Sequence, residues 1–416
     1  MTILYNTLQL LLSPLLFVFF FLPENREQNL RRLGVGLNCR PKKIGRRTFW
    51  VHAQSISEIT TSLPFIIGLK QDYPDAEIFF SALNIEGEKH AKNVLAASVD
   101  HFILLPIDIR FIVNRFIRLI GPDLFVLANK DLYPNILGCM KKKQIPTMAV
   151  NCSISAQVNT TYNRFAFYFK PLLASLTALC VHTDNDRQKL INLGVDKSRI
   201  HTLANLKFDT AIFSPTQLKH PLPFTLPENR IFIVAGSTHE GEDETILHCF
   251  KKLQIEFPSI YLIIAPHNRK RGAAIHQLAN TMGITANRRS QINAGGKDLF
   301  ILDTFGELNR VYGRADIAFV GGSLIAAGGH NPIEPAIYGI PVLFGRHMED
   351  FFEISGELMH AGGAIMVRDQ IELMSNFESL LRNPEWLKKK GSAAREYSQT
   401  KMGVVAKHLS VVKKVL

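Results

Sequence analysis

Residues 319 to 345 read FVGGSLIAAGGHNPIEPAIYGIPVLFG and gather two glycine pairs, a histidine, an asparagine and a glutamate after one apolar run. That run, Asp316 to Val320, leads into Gly321-Gly322-Ser323. Gly328-Gly329 follows, and then His330-Asn331-Pro332-Ile333-Glu334. The spacing predicts a helix start, with Asn331 as N-cap, Pro332 at the first helical position and Glu334 at the third. Glycines let a ligand approach the backbone closely, and the open amides of a helix N-terminus attract anions. A fixed Glu334 carboxylate can accept hydrogen bonds from a ribose diol. The chemistry is that of holding a nucleotide sugar. A capping box is the other use for Glu334, and the two are compatible: the cap can hold the carboxylate in place while it meets the diol.

Two further junctions have the same grammar. In VHAQSISE (51–58), Ser55 and Glu58 have capping-box spacing; in VAGSTHEGEDE (234–244), Ser237 and Glu240 do. All three junctions fall at carboxyl ends of predicted strands, where open α/β sheets bind ligands. Gly236 and Gly241 are separated by polar residues and do not make a dinucleotide fingerprint; no GK[ST] follows, so a P-loop is excluded as well. Gly236-Ser237-Thr238 can still offer amides and hydroxyls to one phosphate. His239 is expected to cap a helix or sit in the core. Asp184-Asn185-Asp186 is formally a DxD, but it follows a strand and Thr183 and is expected to cap a helix. No HExxH and no zinc-type Cys/His spacing is present, so neither a metal nor a cofactor is expected.

These residues need a scaffold that brings strand ends together. Apolar runs predict strands near Thr48 to Ala53, Glu77 to Ser81, Phe102 to Leu105, Leu124 to Ala128, Pro146 to Val150 and Ala178 to Thr183. The pattern resumes at Ile231 to Ala235, Tyr261 to Ala265, Asp316 to Val320 and Pro341 to Phe344. Their Val, Ile and Phe content without polar alternation fits parallel strands buried on both faces. A proline-rich break from Ser214 to Pro227 marks a linker. At 416 residues the chain exceeds the size of one ordinary core. The expected fold class is α/β, with two doubly wound Rossmann-like domains facing a cleft: 48–213, a linker at 214–229, and 230–416 including the C-terminal helices. Five scattered cysteines without a CxxC pair fit a reducing compartment.

A membrane signal precedes the first domain. Ile3 to Leu22 carries no charged side chain at neutral pH and is just long enough to cross about 30 Å of hydrocarbon as a helix. Residues 1–22 are expected to form an N-terminal membrane-anchor helix that spans or lies in the bilayer, and 23–47 a basic juxtamembrane segment. Arg26, Arg31, Arg32, Arg40, Lys42, Lys43, Arg46 and Arg47 would keep the bulk of the chain on the cytoplasmic side and meet anionic headgroups. The net charge of +12 suits an anionic partner. No nucleic-acid-binding motif is present, so anionic lipid is the expected partner and nucleic acid is not.

The motifs as an ordered set resemble those of 3-deoxy-D-manno-octulosonic acid (Kdo) transferases. HAQSISE (52–58), LYPN (132–135), VNCSIS (150–155), NLKFD (205–209), GSTHEGEDE (236–244), DTFGEL (303–308), ADIAFVGGSL (315–324) and GGHNPIEPA (328–336) carry the likeness, from about Phe49 to Phe352. The resemblance implies an inverting glycosyltransferase of the two-domain GT-B architecture. It would move Kdo from CMP-Kdo onto the lipid A precursor at the cytoplasmic face of the cell inner membrane, in lipopolysaccharide biosynthesis. It further implies that Glu58 is the base that deprotonates the acceptor. Lys207 and Asn129 would stabilise the transition state. Donor contacts would come from Pro266-His267, Phe305-Gly306-Glu307 and Asn331-Pro332-Ile333-Glu334. The family shows Pro-Arg where this chain has Pro266-His267, with Arg269 as another place for that arginine. Asn129-Lys130-Asp131 stands where Glu-Thr-Glu is usual, Tyr133 replaces a tryptophan, and Ser153 replaces an arginine. The alternatives are another GT-B membrane sugar transferase, a nucleotide-sugar epimerase, or a non-enzymatic anchored nucleotide-sugar binding protein.

Overall fold

A computed structural model of the chain describes residues 5, 26–36, 45–128, 132–210, 222–291, 297–304 and 306–416. The predicted anchor, Ile3 to Leu22, lies outside the described residues apart from Tyr5. Among the described residues no helix is long and apolar enough to cross a membrane. Asn129, Phe305 and residues 214–221 of the predicted linker also lie outside them.

The chain forms two compact units, Met1–Thr210 with Gly403–Leu416, and Ala211–Met402. The first holds one sheet of β1 (Thr48–His52), β2 (Glu77–Ala82), β3 (His101–Leu104), β4 (Leu124–Leu127), β5 (Thr147–Cys152), β6 (Ala178–Val181) and β7 (Ile200–Thr202). Its order is β3-β2-β1-β4-β5-β6-β7, and its strand pairs are parallel. Every residue of β1 and β4 is buried, as unalternating apolar runs require when helices cover both faces. The order reverses between β1 and β4. A crevice at the carboxyl ends of that pair is where a doubly wound sheet binds its ligand.

The second unit repeats the plan with β8 (Ile231–Thr238), β9 (Ile260–Pro266), β10 (Ala286–Arg288), β11 (Leu299–Ile301), β12 (Ile317–Val320), β13 (Val342–Phe344) and β14 (Ala364–Met366). The order is β10-β11-β9-β8-β12-β13-β14, again parallel, with its reversal between β8 and β12. Strands appear at all ten predicted places. Four three-residue strands, β7, β10, β11 and β14, add to them.

The sequence assigned all of 230–416 to the second domain, and the structure corrects this. The last helix, Val404–Val415, packs on the helix Ile56–Asp72 of the first unit. Gly68 makes the contact possible: a Cβ there would come within 2.8 Å of both Leu409 Cδ1 and Val405 Cγ1. Asp209 anchors the start of this helix, its carboxylate accepting the N–H groups of Gly403 at 2.9 Å and Val405 at 2.7 Å. Val404, Val405, Leu409, Val411 and Val412 are buried. Two of the basic residues expected to meet lipid are engaged within the fold: Arg31 pairs with buried Glu88 at 2.5 Å, and Arg32 Nε donates to the Leu105 carbonyl at 3.1 Å. Cys139, Cys152, Cys180 and Cys249 are buried thiols.

Candidate functional site

In the first unit, β1 ends at His52 and the chain turns through Gln54 and Ser55 into the helix Ile56–Asp72. The capping box predicted from Ser55 and Glu58 is present. Ser55 Oγ accepts the Glu58 N–H at 3.3 Å, and Glu58 Oε2 accepts those of Gln54 at 2.9 Å and Ser55 at 3.1 Å. The half-buried Glu58 carboxylate is thereby fixed at the sheet's reversal point and at a helix N-terminus. Beneath it His52 is fully buried. Its Nδ1 faces the Ser81 carbonyl at 2.8 Å, so it carries the proton, and its Nε2 accepts from the Tyr133 hydroxyl at 3.0 Å. Burial pushes His52 down to about 4, so it is neutral at pH 7. The Tyr133 hydroxyl also lies 3.5 Å from Gln54 Oε1, which links this departure from the family pattern to the backbone that holds Glu58.

Lys207 begins the short helix Lys207–Thr210, and Asn205 Oδ1 accepts its N–H at 2.9 Å. Asn151, at the end of β5 with a positive φ of 56°, accepts from Leu206 N–H at 2.8 Å and contacts His182 Nε2 at 2.9 Å. Burial holds His182 at about 4; Asp186 opposes that shift and the Lys207 charge adds to it. Thr183 caps the helix Asp184–Asn192, as expected, but the DxD aspartates bind groups outside that helix's own amides. Thr183 Oγ1 accepts the Asp186 N–H, Asp186 Oδ1 accepts the Ile154 N–H, and Asp184 Oδ1 accepts the Thr202 hydroxyl.

In the second unit the structure corrects the expected Ser237–Glu240 box. β8 continues to Thr238, which pairs with Pro266 of β9, so Ser237 and Thr238 belong to the strand. Gly241, at φ 91°, is the N-cap of the helix Glu242–Glu256 and makes no side-chain cap bond. Glu240 is exposed, and Glu242 does the holding. Buried Glu242 accepts the N–H groups of His239 (2.9 Å) and Gly322 (2.7 Å) at Oε2, and those of Ser323 (3.0 Å) and Leu324 (2.9 Å) at Oε1. One carboxylate thus fixes the glycine loop after β12 against the end of β8, across the reversal point. Charge-assisted bonds to backbone amides are about twice as strong as neutral ones. Little in the local spacing of Glu242 marks it out, because three of its four partners lie 80 to 82 residues away.

The predicted helix start at Asn331 is shifted. The helix is Ile333–Ala336, with Pro332 as N-cap, and Asn331 Oδ1 accepts the Ile333 N–H at 3.1 Å. Pro332 and Ile333 are buried, so what they offer a ligand is backbone. Glu334 retains some exposed surface, yet the protein packed around its carboxyl pushes it up to about 7, opposed by a hydrogen bond with the Asn331 side chain. It therefore titrates near neutral pH, as groups at functional sites tend to. Gly306 adopts φ 80°, and Glu307 begins the helix Leu308–Tyr312. The Glu307 carboxylate is held by Arg289 at 3.0 Å and by the Thr304 hydroxyl, so its primary contacts are internal.

His267 follows β9 directly, and its N–H donates to the Thr238 carbonyl at 3.0 Å. Its ring joins those of His239 and His330, a grouping the sequence did not reveal. The three lie 28 and 63 residues apart along the chain: His239 and His267 directly follow β8 and β9, whereas His330 comes ten residues after β12. Burial lowers His330 to about 4, and lowers His267 to a lesser extent, each helped by the neighbouring imidazoles. These three rings are the set among the described residues that could hold a metal ion.

The comparisons with known proteins concern the sequence and the fold of the whole chain. The family model of 3-deoxy-D-manno-octulosonic-acid transferase (kdotransferase) matches residues 27–210. A 3-deoxy-D-manno-octulosonic acid transferase of Haemophilus influenzae is 28% identical over 423 residues, covering 99% of this chain and 98% of the relative. One from Aquifex aeolicus is 28% identical over 335 residues, covering 80% and 85%. Among solved structures, the UDP-GlcNAc 2-epimerase of Neisseria meningitidis matches with a TM-score of 0.59 at 15% identity, covering 87% of this chain and 100% of that one, which is a likeness of fold. Two parallel seven-stranded α/β units, the ordered motifs and relatives spanning nearly the whole length make the chain similar throughout to Kdo transferases, with two units of the GT-B type.

Proposed function

We propose that the protein transfers Kdo from CMP-Kdo to the lipid A precursor with inversion, using Glu58 as general base. The observation that carries this reading is the Glu58 carboxylate, oriented by two backbone amides at the reversal point of the first sheet. In the proposed step Glu58 takes the proton of the acceptor hydroxyl as that oxygen bonds to the anomeric carbon. The bond from that carbon to the CMP phosphate oxygen breaks, and CMP leaves with the electron pair. Lys207 and, by resemblance, Asn129 stabilise the developing charge. Ser237 and Thr238, Pro266 and His267, Phe305 to Glu307 and Asn331 to Glu334 are the donor-binding segments, with the Glu334 carboxylate on the ribose diol.

A lipid acceptor suits the surface of the first unit. Phe111, Phe165 and Phe167 are exposed beside the exposed cations Arg110, Arg164 and Lys170. Aromatic and cationic side chains together fit an anionic amphiphile. The apolar run Ile3 to Leu22 with its basic flank supports a single N-terminal anchor in the inner membrane, with the two units on the cytoplasmic side.

The test is to incubate the purified full chain with CMP-Kdo and a tetraacyl lipid A precursor, measuring CMP release and the mass of the lipid. A gain of Kdo mass matched by CMP is expected. Turnover of UDP-sugars with none of CMP-Kdo would overturn the reading. Fractionation of cells expressing the chain with and without residues 1–22 tests the anchor: equal membrane recovery of both would refute it.

A further inference from the structure

Three imidazoles from three strand ends of the second unit meet at one place. His239 follows β8, His267 follows β9, and His330 closes the glycine loop after β12. Their ligating nitrogens all lie within 4.8 Å of one another. His239 Nε2 and His330 Nε2 face each other at 2.9 Å while their ring centroids are 5.2 Å apart. That combination is the one expected when two rings meet nitrogen to nitrogen. Two bare lone pairs repel at this distance, so a proton or a cation must lie between them. The other two centroid separations are 5.0 and 4.6 Å, and all three ring planes agree to within 27°. A divalent ion bound by imidazoles at about 2.0–2.1 Å spaces its ligand nitrogens by roughly 3.3 Å at tetrahedral angles and a little more at trigonal ones. One pair here, at 2.9 Å, is a little closer than that spacing, and no pair exceeds 4.8 Å.

The backbone is shaped for these rings. Gly322 has φ 68°, and a Cβ there would stand 3.1 Å from His330 Cδ2 and 3.4 Å from His239 Cδ2. Glu242 holds Gly322 N–H and His239 N–H with the same oxygen, and the Thr238 carbonyl holds His267 N–H. The segments bearing the ligands are therefore positioned before any ion arrives, as a built site requires. His267 is exposed, so an ion on this triad would keep a coordination position open to solvent. Three protein nitrogens with one open position is the form of catalytic rather than structural zinc sites.

We propose that His239, His267 and His330 bind one divalent transition-metal ion of the zinc, cobalt and nickel class, leaving a position for an oxygen of a phosphate ester. Only the identity of that last ligand rests on the donor reading above. The test titrates the untagged full chain in detergent with Co²⁺, followed by calorimetry and visible absorption, with CMP added afterwards. One equivalent of Co²⁺, with d–d bands that shift on adding CMP, is expected. His330→Ala and His267→Arg should each weaken Co²⁺ binding at least ~10-fold. His267 is exposed, so His267→Arg should melt as the parent does, which separates ligand loss from unfolding. No stoichiometric binding of Co²⁺, or binding unchanged by His267→Arg, overturns the site. Bands unmoved by CMP that nevertheless binds overturn the phosphate ligand. CMP that fails to bind with or without metal counts against the donor reading and leaves the ion site standing.

Discussion

Replacing Glu242 by Gln tests the keystone of the second unit with little change in volume. The side chain accepts four backbone N–H groups, two on each oxygen, and is almost wholly buried. The amide keeps one acceptor and turns an NH₂ group toward two N–H donors, either those of His239 and Gly322 or those of Ser323 and Leu324. A hydrogen bond to a charged group contributes about 1.5–3 kcal/mol, and an orphaned buried amide costs about 1–3 kcal/mol. Two lost bonds therefore imply a destabilisation of at least about 3 kcal/mol. For a unit of this size that lowers the melting midpoint by roughly 6–12 °C. Differential scanning calorimetry of the purified variant reads the shift, and titration with CMP reads whether the loop after β12 still holds nucleotide. Glu240→Gln is the control; that residue is exposed and should stay within about 0.5 kcal/mol of the parent. A midpoint lowered by less than about 2 °C in Glu242→Gln, with CMP affinity unchanged, would refute the keystone role.

Three other outcomes follow from the geometry. Glu58→Gln should abolish transfer and leave CMP binding and melting nearly unchanged; retained turnover from CMP-Kdo would exclude Glu58 as the base. Glu334 has a folded pKa near 7, above its ordinary 4.5, so the folded state holds the extra proton between those values and stability falls as pH rises through that window. The same titration should tighten CMP binding from pH 6 to pH 8 as the carboxylate forms, and Glu334→Gln should flatten both dependences; parallel pH profiles for parent and variant in calorimetry would defeat this. Gly68→Ala should cost about 1–3 kcal/mol by overpacking against Leu409 and Val405, measured by chemical denaturation of the first unit, while CMP affinity stays the same. An unaltered denaturation midpoint would mean that the C-terminal helix is not seated on that glycine.

What the sequence made legible was local. Every strand of four or more residues announced itself by an unalternating apolar run, because a parallel strand buried on both faces has nothing polar to show. The Ser55–Glu58 cap was legible because both of its hydrogen bonds close within three residues. β7, β10, β11 and β14 are three residues long, too short to set up a period; β13 is equally short and was read only from its apolar run Pro341 to Phe344. The C-terminal helix was misassigned because a buried valine face names no partner, and its partner lies more than three hundred residues earlier. In the candidate site, Asn331 to Glu334 and Pro266-His267 were found by motif. Glu242 was overlooked beside Glu240, since only the tertiary fold distinguishes two acids in GEDE and HEGE. The histidine triad was equally hidden: His239 and His330 meet across 91 residues of sequence.

The return of the last helix to the first unit also has a consequence for synthesis. Asp209 is separated from its partner Gly403 by 194 residues. While the ribosome makes that intervening stretch, the first unit stands with its Asp209 carboxylate unpaired and the groove over Gly68 uncovered. Its folding cannot finish in the order in which it is translated. The second unit, which begins later, is made in full before the first receives its last helix. A cell that stalls between the two holds a chain whose earliest-made part is the less complete, and that apolar groove is the surface a chaperone would meet.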